Sequence, residues 1–178
     1  AKMGSSGDYD HVMEQLEIDW EYSSAMQAAD NESQVKYLVK DMFRANGLDV
    51  TFMAKPMEGV AGSGAHTHMG VSVKLKNGKV VNLFAPKKMD EDFLNPIGFG
   101  ALLGILKNYE VINPFVAASN DALNRLKPGF EAPVCIVTSI GHSAEIPSRN
   151  RTVLVGLVRD MNNPLATRFE LRSPNPKS

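Results

Sequence analysis

The sequence predicts an α+β domain built on an antiparallel sheet. Short stretches in which apolar and polar residues alternate, a pattern typical of strands, recur along the whole chain. They are interspersed with helical stretches at irregular intervals, without the regular strand–helix–strand order of a parallel sheet. A length of 178 residues with 43% apolar residues suits one domain with its own core.

The first half of the chain is expected to hold a helix between strands. Ser23 or Ser24 can cap this helix, and Gly47 can end it in the left-handed conformation that glycine adopts readily. The pair Asn77-Gly78 predicts a hairpin turn. In chain order, the elements predicted here are a strand at Leu16–Tyr22, the helix from Ser23 or Ser24 to Asn46, a strand at Val50–Lys55 ended by Pro56, a glycine-rich turn at Glu58–Gly64 and a strand at Ala65–Leu75.

The second half is expected to hold two helices and three strands. After a charged loop at Pro86–Asn95, apolar residues at helical spacing run from Pro96 to Val111, and Pro114 is expected to begin another short helix. The loop Leu126–Pro133 contains two prolines and one glycine, which are typical turn residues. Strands are predicted near Val134–Ser139, Val153–Val158 and Arg168–Arg172.

Composition limits the classes of function. A formal charge of −1 provides no basic surface for nucleic acid, and no run approaches the roughly 20 apolar residues that a membrane span needs. A single cysteine, Cys135, cannot form an internal disulfide, which favours a reducing compartment and a cytoplasmic protein that acts on small molecules. Residues 1–15, which include Gly4-Ser5-Ser6-Gly7, are expected to be a linker or a truncated start, and residues 16–178 the domain.

Two histidines follow the glycine-rich turn. His66 and His68 are two residues apart on a predicted strand, so both side chains lie on one face of it. A turn such as Gly62-Ser63-Gly64 exposes backbone N–H groups that can hold an anion. The pair is suited to a metal ion or a phosphate, and equally to two surface histidines on an edge strand.

Charged residues form three further patterns. Arg168, Glu170 and Arg172 share a strand face, which favours an ionised carboxylate between two anion-binding arginines, or an ion-pair ladder on a solvated face. Glu17, Asp19 and Glu21 place three carboxylates on another face; a solvated face is preferred for the last two. Other charges lie in loops: Arg125 and Glu131 flank a Pro-Gly turn, and Arg149-Asn150-Arg151 adds donors. Together with the glycine-rich turn and the histidine pair, these charged residues suggest a cationic, metal-bearing pocket for a phosphorylated, carboxylate-rich substrate.

Six segments, taken in order, resemble the catalytic domain of the glutamine synthetase family. They are Ala29–Asn31, Thr51–Pro56, Gly62–His68, Asn124–Pro133, Ser148–Arg151 and Arg168–Pro176. The resemblance covers nearly the whole chain, from about Glu17 onward. It implies that residues 16–178 are part of such a domain, with a curved antiparallel sheet flanked by helices.

The resemblance also implies roles for residues that match the family's motifs. They are, as metal ligands, Glu17 in a first site and His66 and Glu170 in a second; as nucleotide contacts, His68 and Arg168; as glutamate contacts, Gly62, Arg125 and Arg172; and as catalytic groups, Glu131 and Arg151. The implied cofactors are ATP and Mg²⁺ or Mn²⁺. The implied partners are glutamate, ammonium and ATP, within a ring-shaped homo-oligomer in which a neighbouring subunit completes each site.

The implied reaction joins ammonia to the γ-carboxylate of glutamate through γ-glutamyl phosphate. The chain by itself is expected to be inactive, since the family's N-terminal domain contributes further metal ligands. Two alternatives stay open: a γ-glutamyl-amine synthetase that uses a larger amine such as a polyamine, and a catalytically inactive structural or regulatory relative.

The alternatives rest on departures from the family's pattern. Ala61 stands where the family has asparagine, Gly70 where it has serine, Gly156 where it has arginine and Leu165 where it has lysine. An insertion at Ile140–Pro147 makes the last two assignments depend on the local alignment.

Overall fold

A computed structural model describes residues 2–3, 9–11, 14–130 and 132–176. The chain divides into two compact units, Ala1–Thr51 and Phe52–Ser178. No helix of the described part is both long and apolar enough to cross a membrane. The predicted Gly4-Ser5-Ser6-Gly7 linker lies outside the described residues.

The described residues of the first unit form two short strands and one long helix. Strands β1 (Lys2–Met3) and β2 (Tyr9–His11) pair antiparallel. Helix α1 (Ala25–Ala45) begins where Ser24 Oγ accepts a hydrogen bond from the Gln27 N–H, and Gly47, at φ +74°, lies just beyond its end. The predicted helix is therefore confirmed, with both of its end signals.

The second unit holds three helices and eight strands among its described residues. In chain order they are β3 (Thr67–Met69), β4 (Ser72–Lys74), β5 (Val80–Asn82), α2 (Pro96–Lys107), α3 (Tyr109–Val116), α4 (Asn120–Arg125), β6 (Thr138–Ser139), β7 (Gly141–Ser143), β8 (Ile146–Pro147), β9 (Val155–Val158) and β10 (Arg168–Leu171), with a 3₁₀ turn at Pro164–Ala166 before the last strand. The mixture confirms the α+β class.

The main sheet has four strands in the order β3-β10-β9-β6. Strand β10 pairs antiparallel with both β3 and β9, while the two-residue β6 runs parallel to β9. The sheet is therefore mixed at one edge, and its expected curvature stays a prediction. Residues alternate along β10, so that Phe169 and Leu171 are buried while Arg168 and Glu170 lie on the other face.

The buried face of β10 packs on the helices. Phe169 and Leu171 belong to one apolar cluster with residues of α2, α3 and β9. The Phe84 and Phe169 rings lie 4.8 Å apart between centroids. Burial on this side of the strand leaves its opposite face for polar side chains, which positions the site described below.

Two hairpins among the described residues of the second unit lie outside the main sheet. Strands β4 and β5 pair across the predicted Asn77-Gly78 turn, where Gly78 has φ +83°. Strands β7 and β8 also pair antiparallel, so the Ile140–Pro147 insertion folds as a hairpin.

Several predicted boundaries are wrong. The single strand predicted at Ala65–Leu75 is interrupted at Gly70-Val71, and its halves, β3 and β4, join different sheets. Leu16–Tyr22 and Val50–Lys55 form no strand, because no described residue pairs with them in a ladder. The strand predicted at Val134–Ser139 is reduced to the two residues of β6.

The predicted helix at Pro96–Val111 is two helices. Asn95 begins α2 by accepting the Gly98 N–H at 2.9 Å, and α2 ends at Lys107. Helix α3 begins directly after Asn108, so Pro114 lies inside it and does not start a helix as predicted.

Candidate active site

Two strands bring a carboxylate and two imidazoles together on one face of the main sheet. Glu170 on β10 is the register partner of His68 on β3. Its Oε1 lies 3.3 Å from His66 Nδ1 and 4.0 Å from His68 Nε2. His66 precedes β3, where the Ala65 N–H donates to the Pro174 carbonyl at 2.8 Å and fixes the segment beside the end of β10.

Arginines lie on both sides of Glu170 along β10. Arg172 Nη1 donates to Glu170 Oε1, and its Nε donates to the Arg151 carbonyl at 2.9 Å. Arg168 Nε donates to His68 Nδ1 at 2.9 Å. Because Nδ1 of His68 accepts a hydrogen bond, the proton of its neutral ring lies on Nε2.

The imidazole of His66 is neutral at physiological pH. Burial, followed by the positive charges of Arg172 and Arg125, lowers its pKa to about 4. Its 3.3 Å contact with Glu170 is therefore not an ion pair at neutral pH. A neutral imidazole retains a lone pair, which is the form that binds a metal ion.

The glycine-rich turn packs directly on Arg125. A Cβ at Gly64 would lie 2.5 Å from Arg125 Nη2 and 2.7 Å from His66 Nε2. At Gly62 it would lie 2.9 Å from Arg125 Cγ and overlap the Ala54 carbonyl oxygen. Gly62 therefore requires glycine, because a Cβ there would overlap backbone, whereas a Cβ at Gly64 would meet the ends of the Arg125 and His66 side chains.

Arg125 is buried at the end of α4. The residue is 5% exposed, and its guanidinium donates to the carbonyls of Arg172, Ser173 and Pro174 at 3.0, 3.0 and 3.2 Å. Burial and the nearby charge of Arg172 lower its pKa to about 10, so it stays a cation at neutral pH. These bonds fix the chain after β10 against α4; the implied contact with glutamate stays a prediction.

The His66–Glu170 pair fits part of a divalent-cation site. Two ligand atoms that bind one cation at about 2.1 Å from neighbouring octahedral positions lie about 3 Å apart, close to the 3.3 Å observed. All described contacts of the carboxylate fall on Oε1, while Oε2 faces Gly156. The described residues contain no group of three or more His, Cys, Asp or Glu that could hold a metal. The pair is therefore not a complete site, and further ligands are needed.

Most of the predicted site residues meet in the second unit. Those linked by the contacts above are Gly62, His66, His68, Arg125, Arg151, Arg168, Glu170 and Arg172. Glu17 belongs to the first unit, where it is exposed and lies outside any strand. Glu131 lies outside the described residues.

Two glycines flank the polar face of β10. Gly156 is the register partner of Glu170 on β9, and a Cβ there would lie 3.6 Å from Glu170 Oε2. A Cβ at Gly70 would lie 3.7 Å from Arg168 Cβ. Both glycines leave room beside charged side chains, at positions where the resemblance implies larger residues.

Lys55 is a residue that the sequence reasoning left without a role. Its Nζ donates to the Val60 carbonyl in the glycine-rich turn and lies 4.0 Å from the centroid of the Phe130 ring. Its place in the Thr51–Pro56 segment was the available signal, but a single lysine in a loop indicates no particular chemistry.

Comparison with known proteins gives one consistent result. The family described as "Glutamine synthetase, catalytic domain" matches residues 9–178. Glutamine synthetase of Clostridium saccharobutylicum is 36% identical over 168 residues, 92% of this chain and 33% of that protein. The enzyme of Thermotoga maritima is 34% identical over 183 positions, 98% of this chain and 37% of its own length. The chain thus spans about a third of these relatives.

The fold gives the same result. A cryo-EM structure of Plasmodium falciparum glutamine synthetase matches with a TM-score of 0.71 at 26% identity. The match covers 87% of this chain and 27% of that one.

Proposed function

Because the chain belongs to the glutamine synthetase family, we propose that its parent protein joins ammonia to the γ-carboxylate of glutamate at the expense of ATP. The observation that carries the proposal is the convergence of the His66 imidazole and the Glu170 carboxylate at 3.3 Å, with Arg168 and Arg172 beside them. A metal-binding pair among arginines suits a substrate with phosphates and carboxylates.

In this proposal the second metal site contains His66 and Glu170, and Glu17 contributes to the first. Mg²⁺ or Mn²⁺, when bound, neutralises the charge that develops on the ATP phosphates. The missing ligands would be phosphate oxygens, water or residues elsewhere in the parent protein. The neutral state of His66 supports this assignment, because a protonated imidazole has no lone pair to share.

The nucleotide lies against His68 and Arg168. Arg168 donates to Nδ1 of His68, which places the proton of the neutral ring on Nε2, the atom proposed to donate to a phosphate oxygen. Arg168 therefore acts partly through His68, by fixing the tautomer and orientation of the ring.

In the first step a γ-carboxylate oxygen of glutamate attacks the γ-phosphorus of ATP. The bond to the β-phosphate oxygen breaks, giving γ-glutamyl phosphate and ADP. Arg125, Arg172 and the Gly62 backbone hold glutamate, while Arg151 contacts the transferring phosphate and the substrate. Their positive charges lower the repulsion between carboxylate and phosphate.

In the second step ammonia attacks the γ-carbonyl carbon and phosphate leaves, giving glutamine. Glu131 accepts the proton that ammonium must lose before its nitrogen can attack. Water must be excluded during this step, because it would hydrolyse the acyl phosphate. A loop that carries Glu131 and closes the site suits both tasks.

The parent protein is proposed to be a cytoplasmic, ring-shaped homo-oligomer in which a neighbouring subunit completes each site. The 178-residue chain alone is expected to be inactive, because only two of its predicted metal ligands converge among the described residues. Neither a nucleic acid nor a membrane is proposed as a partner.

Two features of the chain favour the alternative activities. Ala61 carries no amide beside the glycine-rich turn, which favours a γ-glutamyl-amine synthetase that accepts a larger amine. The space beside Glu170 at Gly156 and beside Arg168 at Gly70 favours a relative that has lost catalysis.

One assay on the full-length parent separates the three activities. Glutamate, ATP and Mg²⁺ are supplied, the amine is varied, and phosphate release is followed together with product formation. Rapid release with ammonium supports the proposed function. Release only with larger amines identifies the second activity, and no release with any amine identifies the third.

A further inference from the structure

Lys55 is fixed to two other segments of the second unit. Its backbone N–H donates to Asp121 Oδ2 on α4 at 3.2 Å. Its side chain reaches back to the Val60 carbonyl in the glycine-rich turn. Lys55 is thus tied to α4 through its backbone and to the glycine-rich turn through its side chain. These two hydrogen bonds fix the position of the Lys55 ammonium.

That charge lies over the ring of Phe130, 4.0 Å from its centroid. An ammonium at this distance from an aromatic face forms a cation–π contact. Phe130 is 38% exposed, so it is not held by burial alone. Gly129 has φ +111°, which places a sharp turn immediately before the ring.

The loop Leu126–Pro133 is buried again just beyond Phe130. Ala132 is 4% exposed, and its N–H donates to the Phe130 carbonyl at 2.7 Å. In sequence, Glu131 stands between Phe130 and Ala132. Lys55 therefore contacts Phe130, the residue directly before Glu131, to which the resemblance gives a catalytic role.

We propose that Lys55 is a positioning residue, which joins the glycine-rich turn to the loop Leu126–Pro133 through Val60 and Phe130. The inference rests on the proposed function where it concerns catalysis: loss of the contact loosens the loop, and water reaches the γ-glutamyl phosphate. Hydrolysis then gives glutamate and phosphate, so ATP is consumed without formation of an amide.

The contact itself is tested in the full-length parent by chymotrypsin. Cleavage at the bond after Phe130 is followed by mass spectrometry in Lys55→Met, which keeps the aliphatic stem, and in Lys55→Arg, which keeps the charge. Lys87→Met, at an exposed loop lysine, is the matched control. Lys55→Met is expected to speed cleavage about two- to fivefold, as for loss of a partly exposed cation–π contact; Lys55→Arg and Lys87→Met are expected to match the wild type.

Equal cleavage rates in Lys55→Met and wild type would overturn the proposal, as would an equal increase in Lys87→Met. If Lys55→Met does not fold, Phe130→Leu and Phe130→Tyr replace it, and hydrogen exchange of the loop amides replaces cleavage. The leucine variant is expected to exchange about two- to fivefold faster and the tyrosine variant at the wild-type rate.

The catalytic consequence is tested by counting phosphate released per glutamine formed. The ratio is expected to rise above one in Lys55→Met and to return towards one in Lys55→Arg. A ratio of one in both variants would overturn the positioning role, even if cleavage were faster. If the wild-type parent shows no ligase activity, the proposed function fails, and the chymotrypsin experiment still decides whether Lys55 holds the loop.

Discussion

Glu170 is the side chain on which the contacts of the candidate site converge. Oε1 accepts from Arg172 and lies near both imidazoles, while Oε2 faces the open position at Gly156. The hydrogen bond from Arg172 orients the carboxylate. The two arginines of the β10 motif therefore have different partners: one holds Glu170, and the other holds His68.

Glu170→Gln in the full-length parent is expected to lower kcat/KM at least about a hundredfold. Glutamine keeps the shape and can still accept from Arg172, but it lacks the negative charge that binds a cation. Activity is measured across Mg²⁺ and Mn²⁺ concentrations. The exposed Glu145→Gln in the inserted hairpin is the matched control and should behave as wild type. Unchanged activity and metal dependence in Glu170→Gln would contradict the metal assignment.

The low pKa of His66 gives a second prediction, for stability. The folded-state pKa of about 4 lies below the unfolded value of 6.5, so the unfolded chain binds the extra proton first. Stability should therefore fall as the pH is lowered from about 6.5 to about 4. Urea unfolding with EDTA present should show this slope, and His66→Gln should lose that part of it. The same slope in both proteins would assign the effect to another group.

For individual residues, the sequence predicted which side chains share a strand face better than it predicted their hydrogen-bond partners. Alternation along Arg168–Arg172 predicted that the three charged side chains share one face; Arg168 and Glu170 share a face of β10, and Arg172, just beyond the strand, donates to Glu170. The burial of Arg125 could not be predicted, because its hydrogen bonds go to carbonyls about 47 to 49 residues away in the chain.

Secondary-structure elements show where local signals suffice. Helix α1 has its cap at Ser24 and its end near Gly47, and the β4–β5 hairpin has its turn at Asn77-Gly78, as predicted. Each of these features is set by residues within a few positions. The strands predicted at 16–22 and 50–55 do not form. Alternation of apolar and polar residues shows which face of a strand would be buried, but not whether a neighbouring strand exists to pair with it.

The glycine-rich turn gives a prediction at the scale of the element. Gly62→Ala should destabilise the fold by about 1–3 kcal/mol, because the new methyl group overlaps the Ala54 carbonyl and Arg125 Cγ. Gly100→Ala in α2 is the control with the opposite sign: no atom lies within 4 Å, and alanine stabilises a helix by about 1 kcal/mol relative to glycine. Thermal unfolding of both variants measures the difference. A Gly62→Ala protein as stable as wild type would show that the turn can move away.

For the whole molecule, the order of the motifs carried more information than composition or periodicity. Charge and apolar content excluded classes of partner, whereas six segments in order indicated a family that the comparisons show. Contacts within the second unit link His66, Glu170 and Arg125 across more than 100 residues of sequence. Such contacts depend on the complete fold, so no local pattern could predict their distances.

The small number of converging ligands gives a prediction for the isolated chain. Mn²⁺ is expected to bind weakly or not at all, because His66 and Glu170 are too few ligands without phosphates or further side chains. Titration calorimetry of the 178-residue chain with Mn²⁺ tests this. A tight site with one ion per chain would contradict it.

The most direct test of the account is the position of a cation in the full-length parent. Crystals grown with Mn²⁺ and ADP, with anomalous data collected at the manganese edge, would locate each ion. We expect one ion within about 2.5 Å of both His66 Nδ1 and a Glu170 carboxylate oxygen. A manganese bound only elsewhere, with these two side chains turned away from each other, would contradict it.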